Sequence, residues 1–160
     1  MADLERAAHA SIRMGEMNIA SDGEELRTLL GSCVGLALYD SRQRVGGLAH
    51  IVLPDSRGSM TTPGKFADLA IPVLISLLSK KTSRKLSLTA KIAGGASMFK
   101  TTAATNIGLL NIEACENILR ELRVPIIGRH CGGGQGRRMT LKTGDGKVVI
   151  EIVGQPPVEL

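Results

Sequence analysis

At 160 residues, with 43% hydrophobic and 22% charged side chains, the chain has the length of one domain and lacks the polar, highly charged profile of a disordered segment. Aromatic residues amount to 2%, one Tyr and two Phe with no Trp, which excludes an aromatic stacking platform or cage and disfavours single-strand nucleic-acid modules. Lys and Arg total 20 against 15 Asp and Glu, a net charge of +5, so an acidic partner is expected.

Residues 1–12 form a polar lead-in of helical composition, in which His9 is read as exposed and no chemistry is placed. Met17, Ile19 and then residues 26–30 read as short extended segments split by the turn signal Ser21-Asp22-Gly23. Residues 34–39 and 45–53 alternate as strands, with the polar residues 40–44 as a hairpin turn. Pairing Leu38 with Gly47, Leu36 with Ala49 and Val34 with Ile51 gathers Val34, Leu36, Leu38, Ala49, Ile51 and Leu53 on one apolar face. The other face then carries Cys33, Gly35, Ala37, Leu48, His50 and Val52, with His50 a diagonal neighbour of Cys33, roughly 7 Å away. A one-residue slip would separate them.

Thr62 as N-cap and Pro63 at the first helical position open a helix whose buried stripe is Phe66, Leu69, Ala70, Val73, Leu74, Leu77 and Leu78, restricted or kinked at Pro72. Residues 86–93 are a strand ending in Gly94-Gly95. A second helix starts near Asn106 or Asn111 and runs to Leu122, burying Ile112, Cys115, Ile118, Leu119 and Leu122. Residues 124–127 are a strand, 132–136 a glycine loop, and 139–153 a hairpin turning at 143–146, with residues 154–160 as a tail. Hairpins and two helices in one domain predict an α/β sandwich with mixed sheets.

The basic residues are scattered, and the groups 80–85 and Arg137-Arg138 read as solvated faces, so a nucleic-acid partner is not expected. Three cysteines without paired spacing and no apolar leader predict a cytoplasmic protein. The longest apolar stretch, residues 69–78, contains Pro72 and is about half of a membrane span, so no membrane insertion is expected.

Cys33 follows Gly31-Ser32 at a strand start, where backbone N–H groups can point at an incoming oxygen, and it shares a face with His50. Thiol and imidazole in reach make a nucleophile and a base; the alternatives are a small core hydrophobe and a satisfied core histidine. His130-Cys131 before the glycine loop is the rival thiol or metal site. No CxxC or HxxxH unit accompanies it, so no metal is expected, and the loop lacks a nucleotide fingerprint. Cys115 falls on a buried helical stripe.

The blocks Leu30-Gly31-Ser32-Cys33-Val34, Ala49-His50-Ile51-Val52-Leu53-Pro54, Pro63-Gly64-Lys65-Phe66-Ala67-Asp68, Lys91-Ile92-Ala93-Gly94-Gly95-Ala96-Ser97-Met98-Phe99 and Asn106-Ile107-Gly108 resemble the CheD family of chemoreceptor glutamine deamidases. The resemblance spans about residues 26–138 and implies a three-layer α/β sandwich, distantly like the catalytic domain of the cytotoxic necrotizing factor toxins. It further implies a Cys/His/Thr site, with Cys33 as nucleophile, His50 as base and Thr28 as the threonine. Family members differ by one position there, which in this chain holds Arg27. An acidic residue and a threonine usually precede the last Gly-Gly, whereas His130 and Cys131 stand here.

The expected reaction is hydrolysis of specific chemoreceptor glutamines to glutamates through a thioester, with Ser32 and Cys33 N–H groups as oxyanion hole and no cofactor. The expected partner is the chemoreceptor cytoplasmic region. The alternative implied by the resemblance is a non-enzymatic regulator that binds a CheC-type phosphatase.

Overall fold

A computed structural model describes residues 9–59, 62–98 and 106–160. Among the described residues, ten strands and two α-helices follow one another as β1 (His9–Ile12), β2 (Met17–Ser21), β3 (Glu25–Leu30), β4 (Val34–Asp40), β5 (Val45–Ile51), α1 (Ala67–Lys81), β6 (Thr89–Gly94), α2 (Ile107–Glu121), β7 (Ile126–Cys131), β8 (Arg137–Lys142), β9 (Val148–Glu151) and β10 (Val158–Glu159). They form two five-stranded sheets, ordered β1-β3-β8-β9-β10 and β2-β5-β4-β6-β7. Both are mixed, because β1 runs parallel to β3 and β7 parallel to β6 while the remaining pairs are antiparallel.

The β4–β5 hairpin organises the molecule. Its register pairs Val34 with Ile51, Leu36 with Ala49 and Leu38 with Gly47, as the alternation predicts. Every residue of both strands is buried, since the hairpin lies inside the second sheet with partners on either side. Val34, Leu36, Leu38, Ala49 and Ile51 pack on Ala70, Ile71, Leu74 and Leu78 of α1 and Cys115 and Leu119 of α2. The opposite face, with Cys33, Ala37 and Leu48, meets Leu26, Leu30, Met139, Leu141, Val148 and Ile150 of the first sheet. The result is a sheet, a sheet and a helical layer with two cores.

Several boundaries differ from the sequence expectation. Residues 9–12 of the expected helical lead-in form β1, because the edge of β3 offers a ladder that outweighs local propensity; residues 1–8 lie outside the described residues, as does Phe99. Thr62 makes no side-chain cap, and Pro63 opens a short 3-10 turn instead of α1. Lys65 O accepts from Val52 and Leu53 N–H, and Ala67 N donates to Leu53 O, so Lys65-Phe66 stays tied to the end of β5 and the helix begins at Ala67. The buried face of α1 is Ala67, Ala70, Ile71, Leu74 and Leu78, with Val73 on the exposed side. Pro72 is exposed within a helix that continues through it to Lys81.

Asn106 caps α2 by accepting from Leu109 N, which settles the start of that helix, and Leu122 lies exposed at its end. β6 begins at Thr89 rather than residue 86, and β7 extends to Cys131 rather than stopping at residue 127. The expected tail folds back as β10 along β9.

Candidate functional site

The β4–β5 register puts His50 opposite Gly35 and leaves Cys33 just beyond the last ladder pair, Val34 with Ile51. Both side chains therefore belong to the inter-sheet face, where Cys33 is 7% exposed and His50 3%. From the first sheet, Thr28 of β3 points at the same region and is also buried. Thr28 and His50 meet between the sheets, and Cys33 lies on the same inter-sheet face.

The Thr28 hydroxyl lies 2.7 Å from Ile12 O and 2.7 Å from His50 Nδ1. A carbonyl oxygen only accepts, and threonine has a single O–H proton, so that proton goes to Ile12 O. Thr28 Oγ1 must then accept from His50 Nδ1–H, which makes Nε2 the lone-pair nitrogen. Nε2 is buried and has no hydrogen-bond partner among the described residues. Burial lowers the pKa of His50 and raises that of Cys33, so both groups are held neutral at rest, with the proton on sulfur and a free base on nitrogen.

The Gly31–Cys33 turn is held by its carbonyls. Ala96 N donates to Gly31 O, Asn111 Nδ2 to Ser32 O and Gly95 N to Cys33 O. The N–H groups of Ser32 and Cys33 make no hydrogen bond among the described residues. Gly94, at φ 96°, passes so close that any side chain on it would collide with Cys33 O, which explains why this position needs glycine.

A cleft of about 910 Å³ opens beside Thr28 and His50, bordered by Arg13, Arg27, Leu29 and Arg138. Leu29 and Arg138 also border a second cleft that reaches Gly31 and Gly134–Arg137. Leu29, 73% exposed, stands between the two.

The rival site resolves differently. Arg137, buried, donates to His130 Nδ1 at 2.8 Å and to the carbonyls of His130, Gly132 and Gln135. Arg137 thereby closes the glycine loop on itself, and His130 Nδ1 accepts a hydrogen bond from it. Cys131 Sγ donates to Ile92 O. Cys115 is fully buried against α1 and the second sheet, its thiol pushed up to about 12 by desolvation and by the Cys131 and Glu116 charges. Among the described residues no group of three His, Cys, Asp or Glu side chains is placed to hold a metal, and no helix is long and apolar enough to cross a membrane.

Three parts of this arrangement escaped sequence reasoning. Ile12 O lies in a segment to which no chemistry was assigned, and only its pairing with Thr28 in the β1–β3 ladder reveals it. Asn111 appears in the sequence merely as one of two candidate helix starts. The bond from Gly95 to Cys33 is carried by the Gly94-Gly95 doublet, a visible signal whose partner could not be read.

Fold and site together define a three-layer α/β protein with a thiol, an imidazole and a hydroxyl between its sheets. The profile of a family described as CheD chemotactic sensory transduction matches residues 52–152. A relative from Clostridium botulinum (strain Eklund 17B) is 46% identical over 155 residues, 93% of this chain and 96% of its own, and is named probable chemoreceptor glutamine deamidase CheD. Another of the same name, from Methanococcus maripaludis (strain C6), is 44% identical over 141 residues, 87% of this chain and 92% of its own. The chain belongs to the CheD family.

Proposed function

We propose that this protein deamidates specific glutamine side chains of chemoreceptors to glutamates, with Cys33 as nucleophile, His50 as general base and acid, and Thr28 as the group that orients the imidazole. The observation that carries the reading is the chain Ile12 O to Thr28 to His50, which leaves Nε2 as the free base on the face shared with Cys33. The names of the relatives supply the substrate class.

The chemistry follows from these groups. Nε2 takes the Cys33 proton as sulfur attacks the glutamine Cδ, and the carbonyl oxygen becomes an oxyanion beside the free N–H groups of Ser32 and Cys33. The imidazolium gives its Nε2 proton to the departing nitrogen, so ammonia leaves and a thioester remains. Water, deprotonated by the same Nε2, attacks the thioester, and glutamate and the thiol are released. Through these steps His50 Nδ1–H keeps donating to Thr28, which fixes the ring in both protonation states. The sequence needs no electron acceptor and no bound cofactor.

The test is to incubate a chemoreceptor cytoplasmic region with wild-type protein and with Cys33→Ser, and to follow ammonia release and the mass gain of amide-to-acid conversion. Conversion by wild type alone supports the reading; equal conversion by Cys33→Ser overturns it. A regulator that only binds a CheC-type phosphatase, the other role implied by the resemblance, releases no ammonia from a receptor region, so the same assay separates that role from catalysis.

A further inference from the structure

Asn111 is fully buried on α2, on the face that also carries Cys115 and Leu119. Its Nδ2 donates to Val52 O at 2.9 Å and to Ser32 O at 3.3 Å. Both acceptors are carbonyls, so the amide has one possible orientation. Its Oδ1 is buried and has no hydrogen-bond partner among the described residues. A buried amide whose oxygen has no partner is costly, so the two bonds that its nitrogen donates call for an explanation.

Their location supplies it. The β4–β5 ladder ends at Val34 with Ile51, and the next positions, Cys33 and Val52, lie past the last backbone pair. Past that point, among the described residues, no backbone hydrogen bond joins the two continuations to each other: Cys33 O is tied to Gly95 N and Val52 N to Lys65 O, each to a different neighbour. Asn111 bridges the two strand continuations at that point, joining the carbonyl immediately before Cys33 to the carbonyl two residues after His50. Helix α2 thus reaches across the helical core to clasp the open end of the hairpin that carries both reacting groups.

We infer that Asn111 is a positioning residue for deamidation, which sets the separation of the Cys33 thiol from His50 Nε2 by tying Ser32 O to Val52 O. The inference rests on the assignment of Cys33 and His50 as nucleophile and base. Asn111 touches neither side chain directly by hydrogen bond; it acts through the backbone that presents them. Its loss loosens the pair and leaves the Thr28–His50 bond in place.

The test uses Asn111→Leu, which keeps the branched shape, and Asn111→Ala, which removes the bridge without overpacking should leucine not fit. Each is compared with wild type and His50→Ala for deamidation of a receptor fragment and for the pH profile of Cys33 alkylation by iodoacetamide, located by peptide mass mapping. Melting curves confirm that the assayed protein is folded. The expected result is a fall in kcat on the order of 10²-fold with KM little changed. The alkylation profile should also move toward that of His50→Ala, because an unassisted thiol ionises only at more alkaline pH. A folded variant that keeps the wild-type alkylation profile overturns the inference, whether or not deamidation falls, because Asn111 then does not set the pair. If His50→Ala itself leaves deamidation and alkylation unchanged, the Cys33/His50 assignment fails and this inference falls with it, a result distinct from failure of Asn111 alone.

Discussion

Thr28 illustrates how one hydroxyl can fix the tautomer of an imidazole. Its proton is taken by Ile12 O, so it presents His50 Nδ1 with an acceptor and nothing else. Thr28→Val, nearly isosteric, should remove that acceptor and lower kcat by about 10- to 100-fold, less than the 10²- to 10⁴-fold expected for loss of a general base in His50→Ala. Full activity in Thr28→Val with a loss in Arg27→Ala would transfer the orienting role to the neighbouring position. Cys33→Ser should abolish deamidation, because an alkoxide is far harder to generate than a thiolate, while Cys131→Ser should retain it. The pH dependence follows from burial. His50 lies below the ordinary imidazole value of 6.5, so Nε2 remains a base into mildly acidic solution and the acid limb of kcat/KM should fall below that value. In the unfolded chain the same ring titrates near 6.5 and takes up its proton first. Stability from keeping His50 neutral is therefore complete above 6.5 and lost as pH falls toward the lower folded value. His50→Ala should flatten this part of the Tm-against-pH curve, as thermal melts between about pH 8 and pH 5 would show.

Among the elements, the β4–β5 hairpin is the most legible, because alternation over two seven-residue strands excludes any one-residue slip that would take Val34, Leu36 and Leu38 off the face of Ala49 and Ile51, and the short turn at residues 40–44 limits the rest. The face of α1 was harder to choose. Leu69, Val73, Ile75 and Leu77 surround it with further apolar residues, so the 3.6-residue period does not single out Ile71 over Val73. β1 and β10 resemble a lead-in and a tail in sequence, since each gains its order from pairing, with β3 and β9, and neither carries a strong local pattern. The site divides along the same line. Cys33 and His50 are read from one hairpin, whereas Ile12 O, Gly95 N and the Asn111 amide reach it through tertiary pairing alone. Gly94 joins the two kinds of information, being visible as a glycine and explained by Cys33 O. Gly94→Ala should destabilise the protein by about 1–3 kcal/mol through its left-handed backbone, and more through the displaced carbonyl. The rate per folded molecule should fall as well, because the displaced group belongs to Cys33. Melts and deamidation rates on one sample test both; an alanine variant with wild-type Tm would mean the segment relaxes away from Cys33 without cost.

At the scale of the whole molecule the +5 charge remains to be connected with the site. Three arginines border the cleft that opens at His50, and each has a carboxylate nearby: Arg13 with Glu16 at 2.9 Å, Arg138 with Glu151 at 3.1 Å and Arg27 with Glu25 at 3.9 Å. The Arg13 and Arg138 pairs are exposed and contribute little to stability, so these two arginines can exchange partners with an incoming acidic surface at small cost, while the Arg27 pair is half-buried. The excess of positive charge acts at longer range, steering a negatively charged segment toward the molecule before any contact forms. Raising ionic strength from about 0.05 to 0.5 M shortens the Debye length to a few ångströms and should slow deamidation of a receptor fragment through kcat/KM. Alkylation of Cys33 by neutral iodoacetamide should change much less over that range, since the reagent carries no charge to steer. The paired measurement is needed because salt can also act on the thiol–imidazole pair itself, and the small reagent registers that effect without docking. A parallel fall of both rates would place the charge effect on the nucleophile; constancy of both would mean that docking is apolar, centred on exposed residues such as Leu29. A fall in deamidation alone assigns the basic surface to encounter with an acidic partner.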